Sequence, residues 1–105
     1  MANYLLAYSG TTPPESEEGM ANVMEAWGAW FGALGPAIVD GGAPTGEART
    51  IKGDSVSPGG GVHPLSGYSV ISADSIDTAV TLAKGCPVLA DGGTVNVYEA
   101  VAIEM

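Results

Sequence analysis

The sequence predicts an α+β domain of ferredoxin-like order, β-α-β-β-α-β, with an enlarged connection between the middle strands. Three observations carry this expectation. Met20 to Leu34 places apolar side chains at i, i+3, i+4 and i+7, the pattern of an amphipathic helix. Ile76 to Lys84 repeats it over a shorter span. Apolar segments rich in aromatic and β-branched residues flank both helices, in the order that a split β-α-β fold requires.

The first strand is Asn3 to Ser9, ending at Gly10. Leu5 and Ala7 fall on one face, and Tyr4, Leu6 and Tyr8 on the other. Both faces are apolar, as in a central strand covered on two sides. Gly10 to Glu18 then leads into the main helix. Either the box Thr12-Pro13-Pro14-Glu15 or Ser16 caps it, and Glu15, Glu17 and Glu18 suit the positive end of the helix dipole. Met20, Val23, Met24, Trp27, Phe31 and Leu34 lie within an arc of roughly 100°, with Trp30 at its edge. This stripe is the expected core face. The opposite face is mostly Ala21, Gly28, Ala29, Gly32 and Ala33, so it is either a close-packed surface or a weakly charged solvated one. Gly35 and Pro36 end the helix.

Ala37 to Asp40 reads as the second strand, followed by a Gly41-Gly42-Ala43-Pro44 turn. Glu47 to Lys52 reads as a short strand or hairpin arm. Gly53 to Pro64 is expected to be irregular, because Gly, Pro and Ser dominate it. Leu65 to Ala73 is a strand. Asp74 or Ser75 caps the second helix, whose expected buried stripe is Ile76, Ala79, Val80 and Ala83, with Gly85 ending it. Cys86 to Gly93 reads as a loop, and Thr94 to Ile103 as the last strand.

One domain is the expectation for 105 residues. Hydrophobic residues make up 46% and charged residues 14%, an apolar balance that reflects either a second buried surface, most simply a subunit interface, or the abundance of Gly and Ala, which accounts for part of it. The net charge is −9, and the basic residues are Arg49, Lys52 and Lys84. Nucleic acid and anionic membrane are therefore not expected partners, since both need clustered cations. The lone Cys86 cannot form an internal disulfide and fits a reducing compartment. No signal-peptide pattern follows Met1 and no apolar run approaches spanning length, so a cytoplasmic setting is expected.

The segments TIKGD and LSGYSVISADSIDTAVTLAKGCPVLADGGTVNVYEA, with AWGAWFGALGPAIVDGGAP before them, resemble the YCII-related (DGPF-domain) family over nearly the whole chain. The resemblance implies the ferredoxin-like fold and pairing of two copies into a dimeric α/β barrel. In such a homodimer the sheets face one another with helices outside, which would account for the two apolar faces of the first strand. The sequence departs from the family in two places. Some members have a histidine near the start of the first helix, thought to form a catalytic dyad with an aspartate; here that region reads GMANV. The signature is also degenerate, with Ser55-Val56-Ser57 following Gly53-Asp54.

Few residues suit chemistry. His63, the sole histidine, is a candidate general base that Asp40 or Asp54 could orient, or an ordinary loop residue. Asp40 ends an apolar strand, as either a site carboxylate or the cap of the following turn. Arg49 suits an anionic ligand or a structural ion pair. Tyr4, Tyr8, Tyr68 and Tyr98 all fall on expected strands. Hydroxyls of Tyr8, Tyr68 and Tyr98 would line a cavity if they shared the sheet's second face; otherwise they reflect strand propensity. Pro58 to Gly61 is not a phosphate loop, Cys86 reads as an inert buried thiol, and no metal-ligand spacing occurs, so neither metal nor cofactor is expected. Two functions fit: a dimer binding a small organic ligand between sheet and loops, or an acid–base lyase or isomerase using His63 or Asp40.

Overall fold

The computed structural model describes residues 1–11, 16–61 and 64–103. Its order is β1 (Ala2–Ser9), α1 (Glu17–Leu34), a 3₁₀ turn (Gly35–Ala37), β2 (Ile38–Pro44), β3 (Arg49–Lys52), β4 (Ser55–Pro58), β5 (Gly67–Ala73), α2 (Ile76–Ala83), α3 (Pro87–Ala90) and β6 (Thr94–Ala100). Four strands form one antiparallel sheet in the order β2-β5-β1-β6, and β3 and β4 form a separate hairpin. Each β-α-β unit thus skips one strand: β5 lies between β1 and β2, and β1 lies between β5 and β6. This is the split arrangement expected from the element order.

Both main helices begin at serine caps. Ser16 accepts the Gly19 N–H at 3.0 Å, and Ser75 accepts the Thr78 N–H at 3.1 Å. Each satisfies one of the amides that a helix start leaves without a partner. The alternative cap at Thr12 lies outside the described residues. Gly35, at φ 55°, ends α1 with its N–H on the Phe31 carbonyl, and Pro36 follows in the 3₁₀ turn.

The helices cover one face of the sheet. Tyr4, Leu6, Tyr8, Ile71 and Ala73 from the strands meet Trp30, Leu34, Ala79, Ala83, Cys86 and Val88 in the core. Tyr8, Trp27, Trp30 and Phe31 form a chain of tilted and edge-on rings 5.4–5.6 Å apart. Trp30 also donates its indole N–H to the Leu82 carbonyl at 3.1 Å, tying α1 to the end of α2.

Several expectations need correction. The α1 stripe is turned by roughly 50° from the expected one. Trp30 is buried, whereas Met20 and Met24 are exposed. The second indole sets the rotation, because it is the larger group and only the core offers its N–H a carbonyl. On α2, Ala79 and Ala83 are buried but Ile76 and Val80 are largely exposed. Nothing lies within 4 Å of a side chain added at Gly28 or Gly32, so that face of α1 is open. Gly41 to Pro44 does not leave the sheet as a turn; β2 continues through it with two register shifts. Gly42 takes φ 76° there. The expected irregular segment contains β4, the expected Cys86–Gly93 loop contains α3, and β6 stops at Ala100 rather than Ile103.

Candidate functional site

Among the described residues, no helix covers the other face of the sheet. Register places its side chains in rows. One row runs Ala43, Tyr68, Ala7, Asn96, and the next runs Asp40, Val70, Leu5, Tyr98. Ser9 and Thr94 pair beyond the first row. Ala7 is the smallest side chain at the centre, so the larger neighbours stand up around its methyl group. A depression of ≈ 530 Å³ results, lined by Ala7, Ser9, Leu65, Thr94, Asn96 and Tyr98. Tyr98 is 57% exposed and Tyr68 37%. The depression thus offers one phenol, a carboxamide and two hydroxyls around an apolar floor, the mixture that suits a small organic ligand, with Tyr68 on the same face beside it.

Its rim is fixed by hydrogen bonds. The Thr45 hydroxyl donates to the Leu65 carbonyl, and Thr45 N–H donates to Ser66 O at 3.1 Å. Ser66 N–H donates to Tyr8 O at 2.7 Å, and Thr11 Oγ1 donates to Ser66 Oγ at 2.8 Å. These bonds hold Leu65 at the mouth, where the chain returns to β5.

The candidates read from sequence do not converge. Tyr68 and Tyr98 share the open face. Tyr8 points the other way, into the core beneath the helices, and so does Tyr4. Alternation along β1 dictates this: Ala7 faces the depression, so Tyr8 cannot. Asp40 is exposed and in register with Val70, but its Oδ1 accepts the Gly42 N–H at 2.8 Å. It is also three strand spacings from Tyr98, roughly 14 Å. Arg49 is exposed on β3, where it donates to the Ala48 carbonyl and pairs with Glu47. His63 lies outside the described residues. Among the described residues, no three His, Cys, Asp or Glu side chains come together as a metal site. None of the described helices is long and apolar enough to cross a membrane.

Asn96, Thr94, Ala7, Ser9 and Leu65 were not singled out from sequence. A signal for two of them existed. In TVNVYEA, Thr94, Asn96 and Tyr98 alternate with Val95 and Val97, and the valines pack against the core.

Behind the floor lies a second polar group. The Tyr8 hydroxyl is buried beside Ser69 and Cys86 without a well-formed hydrogen bond, and Ser69 donates its proton to Gly41 O at 2.8 Å. Burial raises the Tyr8 phenol well above 10.0, opposed by Ser69 and reinforced by Cys86. Burial also raises the Cys86 thiol above 9.0, against the Val88 amide and Tyr8. Both groups are therefore neutral in the folded protein. Well below the ordinary thiol range, under about pH 7.5, both are protonated folded or unfolded and add no pH dependence. Above it the unfolded chain ionises first, so stability falls as pH rises. Urea midpoints should decline from about pH 8 upward, first as the unfolded thiol and then as the unfolded phenol ionises, with a shallower slope in Tyr8→Phe/Cys86→Ala. An unchanged slope would assign the alkaline limb to other groups.

Comparison with solved structures finds 5-chloro-2-hydroxyhydroquinone dehydrochlorinase from Burkholderia phenoliruptrix AC1100, solved in complex with 2,5-dihydroxybenzoquinone. The match covers 94% of this chain and 93% of that one, with a TM-score of 0.57 and 20% sequence identity. At that identity the likeness is one of fold. No protein-family model matches the chain, and no curated protein matches it.

Proposed function

We propose that this protein is a homodimer of the YCII-related type that binds a small planar, oxygenated aromatic ligand on the open face of its sheet. The observation that carries the reading is the Ala7 depression, walled by Asn96, Thr94 and Tyr98 on the face opposite the described helices. An antiparallel sheet can leave one face to water, but Leu5, Val70, Tyr68 and Tyr98 make this one apolar. Pairing two such faces as a dimeric α/β barrel would cover them and enclose the depression. Asn96 and Thr94 would hydrogen-bond the ligand's ring oxygens, and the Tyr98 and Tyr68 rings would contact its face or edge. Support for the ligand class comes from the similarly folded dehydrochlorinase, solved with a dihydroxybenzoquinone.

A catalytic version of this reading gives His63 or Asp40 the role of acid–base group in a lyase or isomerase, with Arg49 holding an anionic substrate. Its support is the register of Asp40 with Val70 on the open face and the enzymatic nature of the similar protein. The Asp40–Gly42 bond weighs toward the binding role, since this carboxylate already has a structural use.

Light scattering in dilute solution should give twice the chain mass. Titration with 2,5-dihydroxybenzoquinone should saturate, and Asn96→Ala and Tyr98→Ala should each weaken binding by about tenfold or more. Absence of saturable binding, or affinities unchanged in both variants, would refute the site. Turnover of a halogenated hydroquinone that disappears in Asp40→Asn would select the catalytic version.

A further inference from the structure

The residues that line the depression are not all held in the same way. Ala7 and Ser9 belong to β1, and Thr94, Asn96 and Tyr98 to β6. These strands pair continuously from Asn3 opposite Ala100 to Ser9 opposite Thr94, so the ladder itself fixes those side chains. Leu65 is different. It precedes β5, and the ladder pairs of β5 with β1 and β2 end at Gly67. Leu65 is also 46% exposed and outside the core cluster, so packing alone does not hold it.

Its place depends on one peptide unit, the one joining Leu65 to Ser66. The carbonyl of that unit accepts the Thr45 hydroxyl, and its N–H donates to Tyr8 O at 2.7 Å. The plane is therefore pinned from both sides, by the chain leaving β2 and by β1 next to Ala7. Because the peptide is planar, turning it would disturb both bonds together. The same plane contains the Leu65 Cα, so fixing it places the point from which the side chain departs. Thr45 adds a second bond one unit further on, from its own N–H to Ser66 O at 3.1 Å. The path of β2 delivers Thr45 to this position: Pro44 pairs with Gly67, and Thr45 falls opposite Ser66 as the strand ends. Of the two groups that pin the Leu65–Ser66 peptide, Tyr8 O is main chain. The Thr45 hydroxyl is the one a side-chain substitution can remove.

We infer that Thr45 is a positioning residue for the site: its hydroxyl holds the Leu65–Ser66 peptide so that Leu65 forms a wall of the depression against the ring of a bound aromatic ligand. The inference rests on the ligand site read above, and it adds a residue outside the lining. Thr45 acts on affinity through Leu65, and so only while the leucine side chain is present.

A double-mutant cycle tests this. Thr45 and Leu65 are both exposed, so the variants should fold. Thr45→Val keeps the shape and loses the donor, and should weaken binding of 2,5-dihydroxybenzoquinone by about three- to tenfold. Thr45→Ser keeps the hydroxyl and should bind within about twofold of wild type. Leu65→Ala should weaken binding by about threefold or more, and adding Thr45→Val to it should cost nothing further. A merely structural role gives another pattern, in which Thr45→Val weakens binding by the same factor with or without the leucine. Hydrogen exchange supplies a readout that needs no ligand. The Ser66 amide, bonded to Tyr8 O, should exchange faster in Thr45→Val and return to the wild-type rate in Thr45→Ser. Unchanged affinity or unchanged exchange in Thr45→Val, or equal losses in the two backgrounds, overturns the positioning role while the ligand site stands. Wild-type protein that fails to saturate with the quinone refutes the site itself, and the role of Thr45 with it.

Discussion

Trp30→Ala will lower folding stability by about 3–5 kcal/mol, a large part of the 5–15 kcal/mol typical of a domain. The side chain is 6% exposed and lies in the aromatic chain between Trp27 and Phe31. Truncation removes that packing and leaves a void that neighbouring elements cannot fill without moving. It also leaves the Leu82 carbonyl without the indole N–H that now reaches it across α1 and α2. Trp30→Phe keeps part of the ring volume but loses the hydrogen bond, and should cost about 1–2 kcal/mol. Met24→Ala provides the contrast. Met24 belongs to the stripe expected from sequence but is 65% exposed, so its truncation should change stability by no more than about 0.5 kcal/mol. Urea denaturation of the three variants reads the rotation of α1 directly. Comparable losses at Met24 and Trp30 would show that the helix faces the core as the sequence pattern first suggests.

Gly42→Ala should destabilise by about 3 kcal/mol or more, or prevent folding. Gly42 sits at φ 76°, where a side chain is strained, and an added Cβ would lie 1.7 Å from the Tyr68 carbonyl oxygen. That contact is with backbone, so no rotamer change relieves it. The alternative is for β2 to separate from β5, exposing the edge of the sheet beside Tyr68. Alanine at Gly28 or Gly32 meets no neighbour within 4 Å, and should be neutral or add about 0.5–1 kcal/mol by raising helix propensity. Thermal melting of the three single variants therefore separates a glycine required by close approach from glycines that only lower helix propensity. Equal melting temperatures would contradict the packing of β2 on β5.

The site was less legible than the fold, for reasons visible in particular residues. Tyr8 and Tyr98 look alike in sequence, as tyrosines on aromatic strands. Their difference follows from which face the helices occupy, and β1 is apolar on both, so its pattern does not decide. Asn96 was readable from the alternation in TVNVYEA, but an asparagine between valines is also what any half-exposed strand contains. Asp40 was named as the end of a strand. The strand in fact runs on to Pro44, because the bulges at Gly41 and Gly42 let a glycine-rich segment stay paired with β5. Those glycines read locally as a turn, and only the close carbonyl of Tyr68 shows why β2 needs them. The hairpin was half legible: β3 alternates visibly, whereas the serines and proline of β4 resemble loop composition.

By itself, the sequence determined the order of helices and principal strands, the serine and glycine ends of the helices, and the anionic surface. These follow from local periodicity, capping chemistry and charge, which are properties of neighbouring residues. Only the tertiary structure decided the rotation of α1, the face taken by each tyrosine, the path of β2 and the separation of the β3–β4 hairpin from the main sheet. Each of these depends on partners distant in the chain: an indole finding the Leu82 carbonyl, Ala7 flanked by β5 and β6, and a carbonyl of β5 pressed against Gly42. Short-range pattern restricts such pairings but cannot choose among them, because the competing arrangements bury similar apolar area and differ in contacts that form only when the whole sheet is assembled.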